Sequence, residues 1–236
     1  MAILLERPNR FLAIAERNGT QFEAHVPDPG RLEDLLVPGA RIWTLPSPGT
    51  KRRTSETLVL AESQSHPGIL ACTDSLMANE VAAVVLDRGL LNQDSASPKL
   101  PTDPWQREVR RDKSRFDFAH ALPDGRQLLL EVKSVTMVEN NGRGLFPDAP
   151  TKRGARHLRE LAKLAGRDME TAVLFCISRS DGLWVEPFAE RDPDFATAFE
   201  EAVQAGVRFL AVRLAYDERG AWFVGRVPVR PAHSSP

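Results

Sequence analysis

The 236-residue sequence predicts an α+β protein made of two parts, an N-terminal β-barrel followed by a domain of mixed strands and helices. Two observations support this prediction. Residues 10–75 consist of short strand-like runs separated by turn signals. From residue 75 onward, apolar residues recur at helical spacing and then alternate with further strand-like runs.

The N-terminal strands are bounded by turn residues. Asn18-Gly19 is the favoured pair of a two-residue type I′ hairpin, and it joins strand-like runs at residues 10–17 and 21–26. The remaining elements of this part are strands at 41–45, 56–63 and 69–73 and one helical turn at 31–36. Such a set of short strands fits a small Greek-key barrel, and the pattern alone leaves OB and SH3-like topologies open.

The C-terminal part begins with a predicted helix that Asp74 or Ser75 caps and Arg88-Gly89 ends. Residues 92–104 are rich in Ser, Pro and Asp and indicate a loop. The elements that follow are strands at 106–111, 114–121 and 127–136, a helix at 154–165, a strand at 171–178, a helix at 195–205 and a strand at 207–214.

Composition limits the classes of protein to consider. The formal net charge of -1 argues against a protein that coats nucleic acid indiscriminately. Positive residues nevertheless cluster at 51–53, 107–115 and 152–167, while acidic residues are concentrated at 186–201. A segregated distribution can leave one basic face, and phosphate binding needs only that face.

The sequence also indicates a compartment. No run approaches the ~18 uninterrupted apolar residues of a membrane span, and residues 1–10 lack the pattern of a secretory signal. We therefore expect a cytoplasmic protein without membrane association. Cys72 and Cys176 lie in apolar runs and are expected to be buried thiols, although a disulfide stays open, and neither has the spacing of a zinc site.

Three charged residues predict a site. A turn at Asp124-Gly125 folds two strands together and brings Asp117 close to Glu131, to within about a residue of register. Glu131 and Lys133 share a face because side chains two apart on a strand point the same way. Two carboxylates can hold a hard divalent cation, and a neighbouring ammonium can orient water.

An ordinary surface ion pair between Glu131 and Lys133 is the alternative. The strand around them argues against it, because Leu128, Leu130 and Val132 make it largely apolar. Charged groups in such a strand are costly unless they are paired or bind metal.

Several motifs then point to a family. Downstream they are Ser114-Arg115-Phe116-Asp117-Phe118, Glu131-Val132-Lys133-Ser134-Val135-Thr136, Phe146-Pro147-Asp148-Ala149, Arg153-Gly154 and His157-Leu158-Arg159-Glu160-Leu161. Upstream they are His25-Val26-Pro27, Gly30-Arg31-Leu32, Pro38-Gly39 and Lys51-Arg52-Arg53-Thr54. Together they closely resemble the sugar fermentation stimulation protein family of bacteria and archaea, and they cover nearly the whole chain.

The resemblance implies a DNA-binding protein with a role in sugar metabolism. It implies an N-terminal OB-like β-barrel at residues 1–75, a C-terminal restriction-endonuclease-like (PD-(D/E)xK) α/β domain at 76–227 and, from sequence, a disordered tail at 228–236. Two positions depart from the expected pattern. Phe116 rather than Pro precedes Asp117, and Asp28-Pro29-Gly30 stands where Asn-Thr-Gly is expected.

By motif, Asp117 is the acidic residue of the second core strand, and Glu131 and Lys133 are the E-x-K of the third. We expect Asp117, Glu131 and the Val132 carbonyl to bind Mg²⁺ (or Mn²⁺), with Lys133 positioning water. Glu108 is either a third carboxylate for the metal or an exposed residue among arginines.

A second set of residues is expected to contact nucleic acid, although each member also fits ordinary solvation of a loop or helix surface: Lys51, Arg52, Arg53, Arg115, Arg153 and His157.

These features predict a metal-dependent phosphodiesterase that acts on DNA. A non-catalytic DNA-binding regulator that retains the nuclease scaffold is the alternative, and RNA is a further possible substrate because OB domains also bind RNA. The sequence gives no indication of oligomeric state.

Overall fold

A computed structural model describes residues 1–47, 54–93, 99–102, 104–111, 114–166 and 168–232. The predicted basic loop of Lys51, Arg52 and Arg53 lies outside the described residues. The predicted α+β class is confirmed: a β-barrel is followed by a mixed sheet with helices on both faces.

The N-terminal part is a closed five-stranded barrel. Its strands follow the order β3-β2-β1-β4-β5, and pairing of β3 with β5 closes it, while β6 extends β5. The strands are β1 (Ala2–Asn9), β2 (Leu12–Arg17), β3 (Thr20–His25), β4 (Arg41–Pro46), β5 (Glu56–Glu62) and β6 (Leu70–Cys72). Asn18 and Gly19 both have positive φ, as the predicted type I′ hairpin requires.

The sequence prediction missed β1 and placed the run at 69–73 inside the barrel. β1 carries Glu6, Arg7 and Pro8, which interrupt its apolar alternation, and its pairing with β2 contains two register shifts. A bulged strand does not keep the period of two that sequence reading depends on.

The C-terminal part is built on a six-stranded sheet of order β15-β14-β12-β9-β8-β7. β12 runs parallel to both β9 and β14, and the outer pairs are antiparallel. The elements are α1 (Ser75–Asp87), a 3₁₀ turn (Leu90–Gln93), β7 (Gln106–Arg111), β8 (Ser114–Ala121), β9 (Gln127–Val135), β10 (Met137–Val138), β11 (Arg143–Phe146), α2 (Lys152–Leu164), β12 (Met169–Ile177), β13 (Trp184–Pro187), α3 (Pro193–Gln204), β14 (Arg208–Asp217) and β15 (Gly220–Val227).

Two apolar layers hold this sheet. On one face, Leu128 and Leu130 of β9 pack with α1, and on the other Leu129 packs with α2 and α3. Strands that are covered on both faces read as continuous apolar runs, which is why β9 and β12 could be predicted. Cys72 and Cys176 are buried free thiols. Among the described residues, no helix is long and apolar enough to cross a membrane.

Three short strands, the longer strand β15 and the tail were not predicted correctly. β10, β11 and β13 form a separate small sheet, and β15 lies at the edge of the large one. The predicted disordered tail is wrong for its first residues, because Val229 bridges Val185 and Arg230 N–H donates to the Val185 carbonyl at 2.8 Å. Residues 233–236 lie outside the described residues.

The two domains are joined by polar contacts. Asp148, which lies just before α2, contacts the barrel loop between β3 and β4. There the Leu32 N–H donates to Asp148 Oδ2 at 3.1 Å. Arg179, fully buried after β12, donates to Asp34 Oδ2 and to Ser63 Oγ of the barrel, each at 2.9 Å. Buried cations are costly unless paired, so these partners fix the position of the barrel on the second domain.

The loop accepts Asp148 only because residue 30 is Gly. A Cβ built on Gly30 collides with both carboxylate oxygens of Asp148. We therefore expect Gly30→Ala to lower the free energy of unfolding by about 1–3 kcal/mol, measured by chemical denaturation. Gly166→Ala is the control, since a Cβ there meets nothing within 4 Å. Equal stability of the two variants would show that Asp148 does not depend on this close approach.

Candidate metal-binding cleft

The candidate site lies where β8 and β9 separate. Their antiparallel pairing runs from Ala121 opposite Gln127 to Phe118 opposite Leu130, and the same register continued by one residue puts Asp117 opposite Glu131. Instead of pairing there, Asp117 Oδ2 accepts the Val132 N–H at 2.8 Å. The predicted juxtaposition of Asp117 and Glu131 therefore follows from the hairpin.

The strand is irregular at this point. Phe116 and Phe118 pack in different apolar layers, although residues two apart on a regular strand share a face. The break frees the Asp117 carboxylate from the sheet, and Asn79 Nδ2 of α1 donates to its Oδ1 at 2.9 Å. Asp117 is thus held by one main-chain and one side-chain donor.

Glu131 is buried in the sheet with only 3% of its surface exposed. Its Oε1 accepts a hydrogen bond from Lys133 Nζ at 2.6 Å and lies 2.6 Å from His157 Nδ1 of α2. Its Oε2 is buried as well and has no hydrogen-bond partner within the described residues. A buried carboxylate oxygen without a partner is costly and leaves room for a cation.

Both domains line the cleft above these groups, which has a volume of about 320 Å³. The polar residues that line it are Asp28, Ser75, Asn79, Asp117, Glu131, Lys133, Ser134, Thr136, Asp148 and Arg153. The predicted trio Asp117, Glu131 and Lys133 is therefore brought together in one accessible cleft.

The electrostatics of the two carboxyls differ. Burial, and then the nearby Glu131 charge, raise the pKa of Asp117, although the Val132 N–H opposes the shift. Burial also opposes ionisation of Glu131, but Lys133 and His157 outweigh it, so the pKa of Glu131 is lowered. Glu131 is therefore the more readily ionised carboxyl of the two.

The donor set suits a hard divalent cation, because it offers carboxylate oxygens and a main-chain carbonyl. The Val132 carbonyl lies on the same strand edge as its N–H, which faces Asp117. Within the described ranges, no three His, Cys, Asp or Glu side chains are close enough to hold a metal by themselves. A cation here would therefore complete its shell with main-chain oxygen and water, as Mg²⁺ commonly does.

Two predicted roles are corrected by the structure. Glu108 is half exposed, has φ 57° within β7, pairs with the exposed Arg115 at 2.6 Å and is not among the residues that line the cleft, which favours the alternative of an exposed residue among arginines over a third metal ligand. His157 is 2% exposed and bound to Glu131, so it cannot contact phosphate. Arg153 is exposed and lines the cleft, as expected for a phosphate contact.

Two protein-family models match the chain, and their boundaries agree with the two domains of the structure. The model described as the SfsA N-terminal OB domain matches residues 5–72, and that described as the sugar fermentation stimulation protein RE domain matches residues 76–220. The chain belongs to the sugar fermentation stimulation protein family. The barrel is therefore an OB domain and not the SH3-like alternative.

Members of the family match along their whole length. A sugar fermentation stimulation protein homolog of Shouchella clausii is 40% identical over 231 residues, which cover 95% of this chain and 94% of the relative. The homolog of Pyrobaculum arsenaticum is 38% identical over 225 residues, covering 95% and 91%. The solved structure of Pyrococcus furiosus SfsA in complex with Ca²⁺ has a TM-score of 0.84 and 26% identity, and the match covers 97% of this chain and 94% of that one.

The sequence analysis did not identify three of the residues that line the cleft as site residues. Asn79 lies on α1, and Asp28 and Asp148 come from different domains. Asp28 and Asp148 both lie in or next to motifs that carried the family resemblance. These motifs were the sequence signal that could have identified the two residues. Nothing local to either motif indicates that the two carboxyls meet.

Asp28 gives a pH-dependent prediction. Burial, and then the charge of Asp148, raise the pKa of Asp28 to about 6 from an ordinary 3.8. Because the folded state holds this proton more tightly, the stability contributed by the protonated carboxyl is lost as pH rises from about 4 through 6. We expect Asp28→Asn to match the wild type near pH 4 and to be more stable by about 1–2 kcal/mol at pH 7.

Chemical denaturation between pH 4 and 8 measures this difference. Glu33→Gln, an exposed carboxyl of the same loop paired with Arg191, is the control. A constant difference between Asp28→Asn and the wild type across this range would contradict the prediction.

Proposed function

We propose that this chain is a divalent-cation-dependent phosphodiesterase that acts on nucleic acid, with DNA as the preferred substrate. One observation carries the proposal: the buried Glu131 Oε2 has no hydrogen-bond partner in the described chain, and Glu131 and Asp117 line the same cleft. A protein that only binds DNA gains nothing from carboxylates that face phosphate.

Asp117, Glu131 and the Val132 carbonyl would hold Mg²⁺ or Mn²⁺. The Ca²⁺ complex of the Pyrococcus furiosus relative supports this assignment, because Ca²⁺ also selects oxygen ligands. When bound, the cation supplies Lewis acidity toward a phosphoryl oxygen and makes a nearby water more acidic.

Lys133 would act on the water and on the phosphate. Its ammonium has three N–H donors and gives one to Glu131 Oε1, which fixes its position in the cleft. The remaining donors can orient the attacking water and stabilise the negative charge that develops on the phosphoryl oxygens.

The start of α2 offers a path for the nucleic-acid backbone. Lys152, Arg153 and Arg156 are exposed in its first turns, and Thr151 caps the helix by accepting the Gly154 N–H. Cations at a helix N-terminus, together with free main-chain amides, favour a phosphate. On β8, Arg115 adds a further exposed guanidinium. The free thiols of Cys72 and Cys176 are compatible with a cytoplasmic location, where reducing conditions keep them reduced.

The direct test is cleavage of DNA by site variants. We expect Mg²⁺- or Mn²⁺-dependent cleavage by the wild type and a loss of at least about 10²-fold in Asp117→Asn, Glu131→Gln and Lys133→Ala. Glu108→Gln is the matched control and should retain activity, because Glu108 lies outside the cleft. Labelled single- and double-stranded substrates report the strand preference.

If DNA remains intact after long incubation with either metal, the proposed nuclease activity is contradicted. Salt-sensitive binding that survives Asp117→Asn would then favour the non-catalytic regulator. Preferential cleavage of an RNA probe in competition with DNA would assign the same site to RNA.

A further prediction concerns the histidine that holds Glu131. His157→Ala removes a partner of Oε1, so Glu131 can turn away from the cleft, and we expect a loss of about 10–100-fold in Mn²⁺ affinity. His157→Asn retains an N–H donor near the position of Nδ1 and should recover part of that affinity. Calorimetric titration of folded variants measures both, with the exposed Arg156→Ala on the same helix as control. Unchanged affinity in His157→Ala would mean that Lys133 alone positions the carboxylate.

A further inference from the structure

Part of the wall of the cleft comes from the barrel, and it carries a carboxyl that the roles assigned above do not use. Asp28 and Pro29 line the same cleft as Asp117, Glu131 and Lys133, although they follow β3 of the other domain. We propose that Asp28 is the general acid that protonates the leaving oxygen during phosphodiester hydrolysis. This assignment rests on the proposed function and adds a catalytic residue to it.

The position of Asp28 fits this role. Lys133 is fixed on the sheet side of the cleft by its bond to Glu131, and Asp28 is held on the barrel side. In an in-line displacement the attacking water and the leaving oxygen lie on opposite sides of the phosphorus. Lys133 and Asp28 come from different domains, so a phosphate held between the domains can meet the water-orienting ammonium from one and the proton donor from the other.

The local contacts leave one oxygen of Asp28 available. Gly30 N–H donates to Oδ1 at 2.8 Å, and Oδ2 has no hydrogen-bond partner in the described part of the chain. Because Oδ1 is held as an acceptor, the proton resides on Oδ2. The Gly30 carbonyl is in turn held by Arg7 at 2.7 Å, which makes the loop rigid.

The surroundings of Asp28 raise its pKa toward neutral pH. Burial is the largest influence, Asp148 and Asp74 add negative charge, and Arg7 opposes them, which leaves the pKa of Asp28 at about 6. A phosphodiester that enters the cleft brings a further negative charge and favours the proton more strongly. A carboxyl with this behaviour suits a general acid at neutral pH.

The reaction balances without another reagent. The water oxygen forms a bond to phosphorus as the bond from phosphorus to the leaving oxygen breaks. Asp28 Oδ2 gives its proton to that oxygen, which departs as a hydroxyl, and the carboxylate regains a proton from solvent before the next turnover. The water loses its proton to solvent.

The test measures how Asp28→Asn changes the cleavage of two substrates that differ in their leaving group. This variant should fold, because the family resemblance leads us to expect Asn in this loop, and Asn cannot give up a proton. We expect cleavage of an oligonucleotide to fall by about 10²-fold or more. Cleavage of bis(p-nitrophenyl) phosphate, whose leaving group departs without protonation, should be nearly unchanged. Glu33→Gln in the same loop should cleave both substrates like the wild type.

Each other outcome overturns the assignment. Equal loss on both substrates, with weaker Mn²⁺ binding by calorimetry, would make Asp28 a metal ligand. No loss on either substrate would remove any catalytic role. If the wild type cleaves neither substrate, the proposed function itself fails, and the role of Asp28 fails with it.

A measurement on the metal-free protein gives an independent readout. Titration of the Asp28 carboxyl by ¹³C NMR should give a midpoint near 6, and Asp148→Asn should lower it because a neighbouring negative charge is removed. A midpoint at the ordinary 3.8 in the wild type would exclude Asp28 as a proton donor near neutral pH.

Discussion

Burial of the Glu131 charge is the constraint on which the site depends. A carboxylate inside a sheet loses its hydration, at a cost of roughly several kcal/mol unless partners replace the water. Lys133 and His157 both bind Oε1, so most of the compensation falls on one oxygen. This one-sided arrangement keeps the charge in place and leaves Oε2 without a hydrogen-bond partner among the described residues. It also explains why α2 must present a histidine at this depth rather than an apolar residue.

The second constraint is that neither domain completes the cleft alone. The barrel supplies Asp28 and Pro29, the second domain supplies the remaining polar wall, and Asp148 connects them through the Leu32 amide. The buried Arg179 reinforces the same junction through Asp34. Because these contacts are polar and specific in direction, the barrel cannot rotate on the second domain without leaving buried charges unpaired. The OB domain is therefore part of the site as well as a neighbouring module.

The sequence predicted what depends on short-range pattern. The hairpin at Asp124-Gly125 and the period of two on β9 were enough to bring Asp117 and Glu131 together. Helical spacing placed Arg153 and His157 on one face, but it could not show that one is exposed and the other buried against Glu131. The bulged β1 was missed because it lacks regular alternation. The meeting of Asp28 with Asp148 could not be read at all, because it is set by the docking of two domains.

The charges of the cleft explain how binding and chemistry are linked. Asp28, Asp117, Glu131 and Asp148 place four carboxyl groups in its wall, whereas Lys133 and Arg153 are its two cationic side chains within the described residues. A phosphate that approaches this surface without a cation meets net repulsion, so the proposed function requires the exposed basic residues of α2 to hold the backbone first.

Entry into the cleft then requires the negative charge to be reduced, and two routes do this. In the proposed mechanism, a divalent cation held by Asp117 and Glu131 would neutralise part of this charge, and protonation of Asp28 would neutralise another part. The second route is coupled to substrate, because the phosphate itself makes the carboxyl hold its proton more tightly. In that proposal, the repulsion between a phosphate and the cation-free cleft is the same interaction that favours protonation of Asp28, and this proton is the one that the leaving oxygen needs.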